Sequence, residues 1–159
     1  MTTTPVPYYP VLVYGTLRPG GTNYDYFLEG RTRSEQEVLL AGFLMYGDNG
    51  CPFLTRGNRI VTATLVYPRE DGYQETMRGL DRLEGFRGEG QDNMYDRVLH
   101  TFHINNVEVK AWLYLVSADL LPRIAATTPV LESGDWIEHV NSFVIPEDGW
   151  LFPDNYPVH

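Results

Sequence analysis

Five apolar runs rich in β-branched and aromatic residues, separated by glycine, proline and asparagine turns, constrain this chain more than any other feature. They cover Val11 to Tyr14, Glu37 to Tyr46, Ile60 to Tyr67, Tyr95 to Ile104 and Val107 to Val116. Turn signals at Gly47-Asp48-Asn49-Gly50 and Asn105-Asn106 divide them, and the last two runs read as a hairpin. Helical periodicity is confined to a weak stretch over Tyr24 to Leu28 and a stronger one over Gln74 to Leu83 that stops at Gly85. Many strands and few helices predict an α+β domain on a mixed or antiparallel sheet curled towards a barrel.

With 159 residues and 43 % hydrophobic content, the chain has the size and apolar supply of one domain, 1–159, with one core. Its 21 acidic against 12 basic residues give a formal charge of -9, which repels phosphate backbones and anionic lipid headgroups. Nucleic acid and membrane are therefore set aside as partners, and a small molecule is expected. One cysteine, Cys51, allows no internal disulfide and no CxxC metal site, which fits a reducing, cytoplasmic setting. Met1 to Pro10 has no basic residue and no sustained apolar run, so it does not read as a targeting peptide. Beyond Asp135 the aromatics Trp136, Phe143, Trp150, Phe152 and Tyr156 are too many for a free tail, so 137–159 reads as an irregular extension packed on a body spanning about 11–136.

Several constellations fail their chemical requirement. Gly15-Thr16-Leu17-Arg18-Pro19-Gly20-Gly21-Thr22 has the glycine spacing of a P-loop, but Gly21 stands where the lysine is needed and Pro19 lacks an N–H. What survives is a glycine-broken loop after a buried strand: either a plain turn or a place where free amides hold a carboxylate or an oxyanion. Strand alternation sends His100 and His103 to opposite faces, so no metal site is expected. The serines sit in no GxSxG elbow. Cys51, in Gly50-Cys51-Pro52, has no basic neighbour in sequence to activate its thiol and reads as a small packed residue.

The stronger helix is more informative. Projected at about 100° per residue from Met77, Leu80 falls near 300°, Leu83 near 240° and Glu84 near 340°, roughly opposite Arg78 and Arg82. Glu84 thus lies within the apolar arc, where a carboxylate is costly unless it is paired, protonated or facing a cavity. Partial burial and the negative end of the helix dipole would both raise its pKa. Glu84 is then either a general base working near neutral pH or a residue at a frayed helix end that reaches water.

Val13-Tyr14-Gly15-Thr16-Leu17-Arg18-Pro19-Gly20-Gly21 resembles the YGTL or YGSL signature of the gamma-glutamylcyclotransferase-like (AIG2-like) family. Gly42-Phe43-Leu44-Met45-Tyr46 with Cys51-Pro52 is similar to the family's second block, Leu80 to Phe86 to its LDxLEGY block, and Met94-Tyr95-Asp96-Arg97 to its YxR block. The match runs on through Ala111-Trp112-Leu113-Tyr114 and Ser133-Gly134-Asp135-Trp136, so it spans roughly residues 11 to 136. Phe86 replaces the commoner tyrosine, and Cys51 stands before the proline where an aromatic is more usual.

The resemblance implies a small mixed β-barrel with few flanking helices, a catalytic Glu84 and substrate contacts from Tyr14, Gly15, Thr16 and Leu17. It also implies a reaction without metal or cofactor: a gamma-glutamyl substrate whose own α-amine attacks its side-chain carbonyl, giving 5-oxoproline and a free amine or amino acid. Tyr95 either closes that pocket or is a core aromatic. A non-catalytic ligand-binding module on the same fold and an amide hydrolase or acyltransferase are the alternatives.

Overall fold

In the computed structural model of the chain, residues 8–48 and 50–142 are described. Strands β1 (Val11–Val13), β2 (Thr32–Tyr46), β3 (Phe53–Pro68), β4 (Tyr95–Ile104) and β5 (Val107–Val116) form one sheet in the order β2-β3-β1-β5-β4. The sheet is mixed: β1 runs parallel to β5 and antiparallel to β3, while the β2/β3 and β4/β5 pairs are antiparallel. Helices α1 (Tyr24–Phe27), α2 (Tyr73–Glu84), α3 (Leu121–Thr127) and α4 (Trp136–Asn141) flank it. The α+β class expected from the sequence is the observed one, and the last two strands form the expected hairpin, turning at Asn105 and Asn106 with positive φ.

The barrel closes only in part. Among the described residues no main-chain ladder joins edge strands β2 and β4. Their side chains nevertheless meet, because the Phe43 ring on β2 packs edge-on against His100 on β4 at 5.1 Å between centroids. The curl therefore brings the two edges together through side chains, with Phe102 and Ile104 of β4 against the same cluster.

β1 is buried along its whole length, and its alternation divides the core in two. Leu12 belongs to the cluster inside the curl, with Leu40, Phe43, Leu65, Leu113 and Trp136. Val11 and Val13 face the other way, onto Leu28, Met77 and Leu80 from the helical side. Helix α2 buries Tyr73, Thr76, Met77 and Leu80 on that face, where each large apolar side chain contributes about 1.5–3 kcal/mol of transfer free energy. Its end is fixed by Gly85 in the left-handed region at φ 69°, with Phe86 N–H donating to Asp81 O at 2.9 Å and Gly85 N–H to Arg82 O at 3.3 Å. That is a Schellman closure, and it places Glu84 as the last helical residue.

Two expectations are corrected. The segment after Asp135 is not irregular at its start: residues 136–141 form α4, capped by the Asp135 side chain, which accepts from Glu138 N–H. Phe143, Trp150, Phe152 and Tyr156 lie outside the described residues. β2 and β3 also begin well before the expected Glu37 and Ile60, because the added residues of each strand pair with the expected part of the other, Glu35 opposite Val66 and Phe53 opposite Tyr46. Among the described residues no helix is long and apolar enough to cross a membrane.

Candidate active site

The loop leaving β1, the C-terminal end of α2, the segment entering β3 and the start of β4 meet around a cavity of about 260 Å³. Tyr14, Gly15, Thr16, Leu17, Glu84 and Tyr95 all line it, so the six residues singled out in the sequence are brought together. Residues 15–18 form a tight turn in which Arg18 N–H donates to Gly15 O at 3.0 Å. Asn23 clamps the loop, its backbone N–H donating to Thr16 O at 2.9 Å and its side-chain amide to Thr16 Oγ1 at 2.8 Å. The N–H groups of Gly15, Thr16 and Leu17 themselves donate to no acceptor among the described residues.

Glu84 is mostly shielded from water, and desolvation pushes its carboxyl from an ordinary 4.5 up to about 7. The residue does not reach out to solvent from a frayed end, because the Gly85 closure and the leucine at position 80 hold the last turn against the core. Tyr14 is buried, and its hydroxyl donates to Tyr114 O at 2.7 Å. Burial, and after it the Glu84 carboxylate, raise the Tyr14 pKa well above the ordinary range. Tyr95 combines both readings offered for it. It is a core aromatic stacked on Phe53 at 5.7 Å, and it lines the cavity while its hydroxyl donates to Pro52 O at 2.8 Å. Both phenols stay protonated and keep their hydrogen bonds at neutral pH.

Cys51 is not the packed residue expected from its sequence surroundings; it is exposed and lines the cavity, with Sγ 3.8 Å from the Tyr95 hydroxyl. Desolvation raises its pKa, so the thiol is not activated. Gly15 also plays a part that the sequence did not disclose. A β-carbon there would overlap the Pro52 ring, so the glycine is needed first for the approach of the β3 segment rather than for a ligand.

Two family-like blocks turn out to be partners in the scaffold. Arg97 Nη1 donates to both oxygens of Asp81, at 3.1 and 3.0 Å, and the Tyr114 hydroxyl donates to Asp81 Oδ1 at 2.7 Å. The Arg97 guanidinium lies over Trp112 at 4.5 Å and Phe86 at 5.2 Å. This pair ties α2 to β4 and β5 three residues before Glu84. At the other end of the loop, buried Arg18 reaches Asp135 at 2.9 Å, Thr64 at 3.1 Å and Glu37 at 3.3 Å. No cluster of His, Cys, Asp and Glu among the described residues could hold a metal ion.

The site is thus a mostly shielded carboxylate across a cavity from a glycine-broken loop, set on a mixed α+β scaffold. The model of the family Gamma-glutamyl cyclotransferase, AIG2-like matches residues 11–138, and the chain belongs to that family and is an enzyme of the gamma-glutamyl cyclotransferase type. It is 31% identical over 110 residues to Gamma-L-glutamyl-butirosin B gamma-glutamyl cyclotransferase of Niallia circulans, covering 69% of this chain and 67% of that one. Two solved structures share the fold. Uncharacterized protein PH0828 from Pyrococcus horikoshii has a TM-score of 0.56 at 20% identity, over 84% of this chain and 94% of that one. Protein ytfP from Escherichia coli has a TM-score of 0.53 at 21% identity, over 82% and 98%.

Proposed function

We propose that the enzyme cyclises a gamma-glutamyl amine or gamma-glutamyl amino acid to 5-oxoproline and releases the free amine, with Glu84 as general base and then general acid. The observation that carries this reading is a carboxyl poised at about 7 in the cavity lined by the free amides of Gly15 to Leu17. Glu84 takes a proton from the substrate's α-ammonium. The freed amine attacks the side-chain carbonyl, forming the ring C–N bond, and the oxyanion rests on the loop amides. Collapse breaks the original C–N bond while Glu84 returns its proton to the leaving nitrogen, and the second proton, which the ring nitrogen carries after attack, then passes through Glu84 to the freed amine, so a neutral lactam and an ammonium leave and atoms and charge balance without an enzyme nucleophile. Tyr14 and Tyr95 shape the wall that holds the glutamyl chain in its bent, reactive form.

Among the described residues lining the cavity there is no Arg, Lys or His. A carboxylate on the leaving group would find no cationic side chain there, whereas a neutral or cationic amine would meet the Glu84 carboxyl among apolar and uncharged polar walls, which favours amines over amino acids. The Niallia circulans relative is named for gamma-L-glutamyl-butirosin B. The single cysteine, free and thiol-bearing, fits the cytoplasm as the setting.

The test is a product assay on a panel of gamma-glutamyl amines, gamma-glutamyl amino acids and glutathione. The expected product is 5-oxoproline, formed from the amines first. Glu84→Gln, which keeps size and hydrogen bonding but not basicity, is expected to lower turnover at least about a hundredfold. Free glutamate as product would replace cyclisation by hydrolysis, and tight binding with no product would make the chain a binding module.

A further inference from the structure

The outer face of α2 is unused by this chemistry. Arg78 and Arg82, one turn apart, are both exposed on the side away from Met77 and Leu80. They line a second cavity, of about 630 Å³, together with Arg87, Arg97 and a single carboxylate, Asp81. Four of the chain's 12 basic residues thus gather in one groove of a molecule whose net charge is -9. Asp81 is already engaged by Arg97 and Tyr114. Arg78, Arg82 and Arg87 form no ion pair with any described residue, and Arg97 Nε is buried without an acceptor. Like charges four residues apart on a helix repel unless a counter-charge lies between them. The helix dipole accounts for Arg82 in the last turn, but not for Arg78 before it or for Arg87 and Arg97 on other segments.

We infer that this groove binds a compact, multiply charged oxyanion of the phosphoryl type, clamped by Arg78, Arg82 and Arg87 with Arg97 beneath. Guanidinium forks match such oxygens in bidentate fashion and keep their charge at every physiological pH. The ligand is compact because the positive field is short. The adjoining cavity, which shares Phe86, Gly88 and Arg97, is lined by Glu89, Asp96 and Asp119, and an extended polyanion would run onto those carboxylates. None of the four arginines lines the Glu84 cavity, so binding here stands or falls apart from the cyclisation reading.

The experiment titrates inorganic phosphate and glycerol phosphate into the full chain at low ionic strength, read by calorimetry or amide NMR shifts. Saturable binding is expected, with amide shifts clustered on residues 78–88. The variant with both Arg78→Gln and Arg82→Gln is expected to bind about tenfold more weakly or worse. Tighter binding of the ester points to a phosphorylated small molecule, equal binding to the free ion, and either supports the site. Absence of saturation, equal binding of chloride at matched ionic strength, or undiminished affinity in the double variant overturns it. Both arginines are exposed, and the phosphate-free melting point checks that the variant is folded; Arg87→Gln supplies the same readout if it is not.

Discussion

The shielding of Glu84 from water was legible in the sequence because the residue interrupts the apolar arc of its own helix, and the same displacement from water sets its thermodynamics. A carboxyl raised from 4.5 to about 7 prefers its protonated form in the folded state. The stability this contributes is full below about 4.5 and is lost as pH rises through about 7, a span on the order of 3 kcal/mol at roughly 1.4 kcal/mol per unit. Denaturant melts of the wild type and of Glu84→Gln at pH 5 and pH 8 are expected to converge at the lower pH and separate at the higher, the variant being the more stable there. Equal separation at both would contradict a displaced pKa. Turnover should move the opposite way, rising with pH through about 7 as the base ionises, so activity and stability trade against each other at one side chain. Cys51 and the close fit of Gly15 to Pro52 were not legible, because both depend on where the segment entering β3 folds back, which no local pattern records.

At the scale of elements, α2 was readable almost to the residue because its stops are local: an apolar period, then glycine. β2 and β3 were read short because their outer halves, such as Arg33 to Gln36 and Arg56 to Arg59, are polar and exposed. Each is a strand because it pairs with the apolar half of the other, Glu35 and Gln36 opposite Val66 and Leu65, Arg56 and Arg59 opposite Phe43. α4 carried a readable start signal, Asp135 followed by Glu138, but the aromatic content of the segment obscured it. The link from Asp81 to Arg97 was visible only as two separate sequence blocks, and its importance lies in joining α2 to the sheet. Each side chain of that pair is 22% exposed. Asp81→Asn leaves a half-buried guanidinium without its counter-charge, and a loss of about 1–3 kcal/mol is expected, below the range for fully buried pairs because water reaches both groups. Urea unfolding measures it. A loss of the same size in Arg97→Met would assign the cost to the pair, whereas an unchanged midpoint in Asp81→Asn would deny the pair a role in holding the helix.

The fold class could be read from the whole chain because five strand patterns and few helices leave few layer arrangements, but the extent of closure could not. It depends on Phe43 meeting His100 across the two sheet edges, a contact between residues far apart in sequence with no pattern linking them. The same holds for the contact between the first loop and the start of α4. Arg18, in the first loop, is buried against Asp135, which also caps α4. One carboxylate thus joins the loop flanking the Glu84 cavity to the helix that packs Trp136 into the core. The two duties are separable. Asp135→Asn keeps an oxygen for Glu138 N–H but removes the charge facing Arg18, while Asp135→Ala removes both. With Arg18 almost fully buried and Asp135 partly exposed, the first substitution is expected to cost about 1–3 kcal/mol. The second should cost roughly another 1 kcal/mol for the lost cap. Because the charge steadies the loop and the cap steadies only α4, Asp135→Asn should already raise KM for a gamma-glutamyl amine, and Asp135→Ala should raise it no further while melting earlier. Were KM to follow the cap instead, the Asp135 contact with Arg18 would be a bystander, and the loop would owe its shape to its own turn and to Asn23.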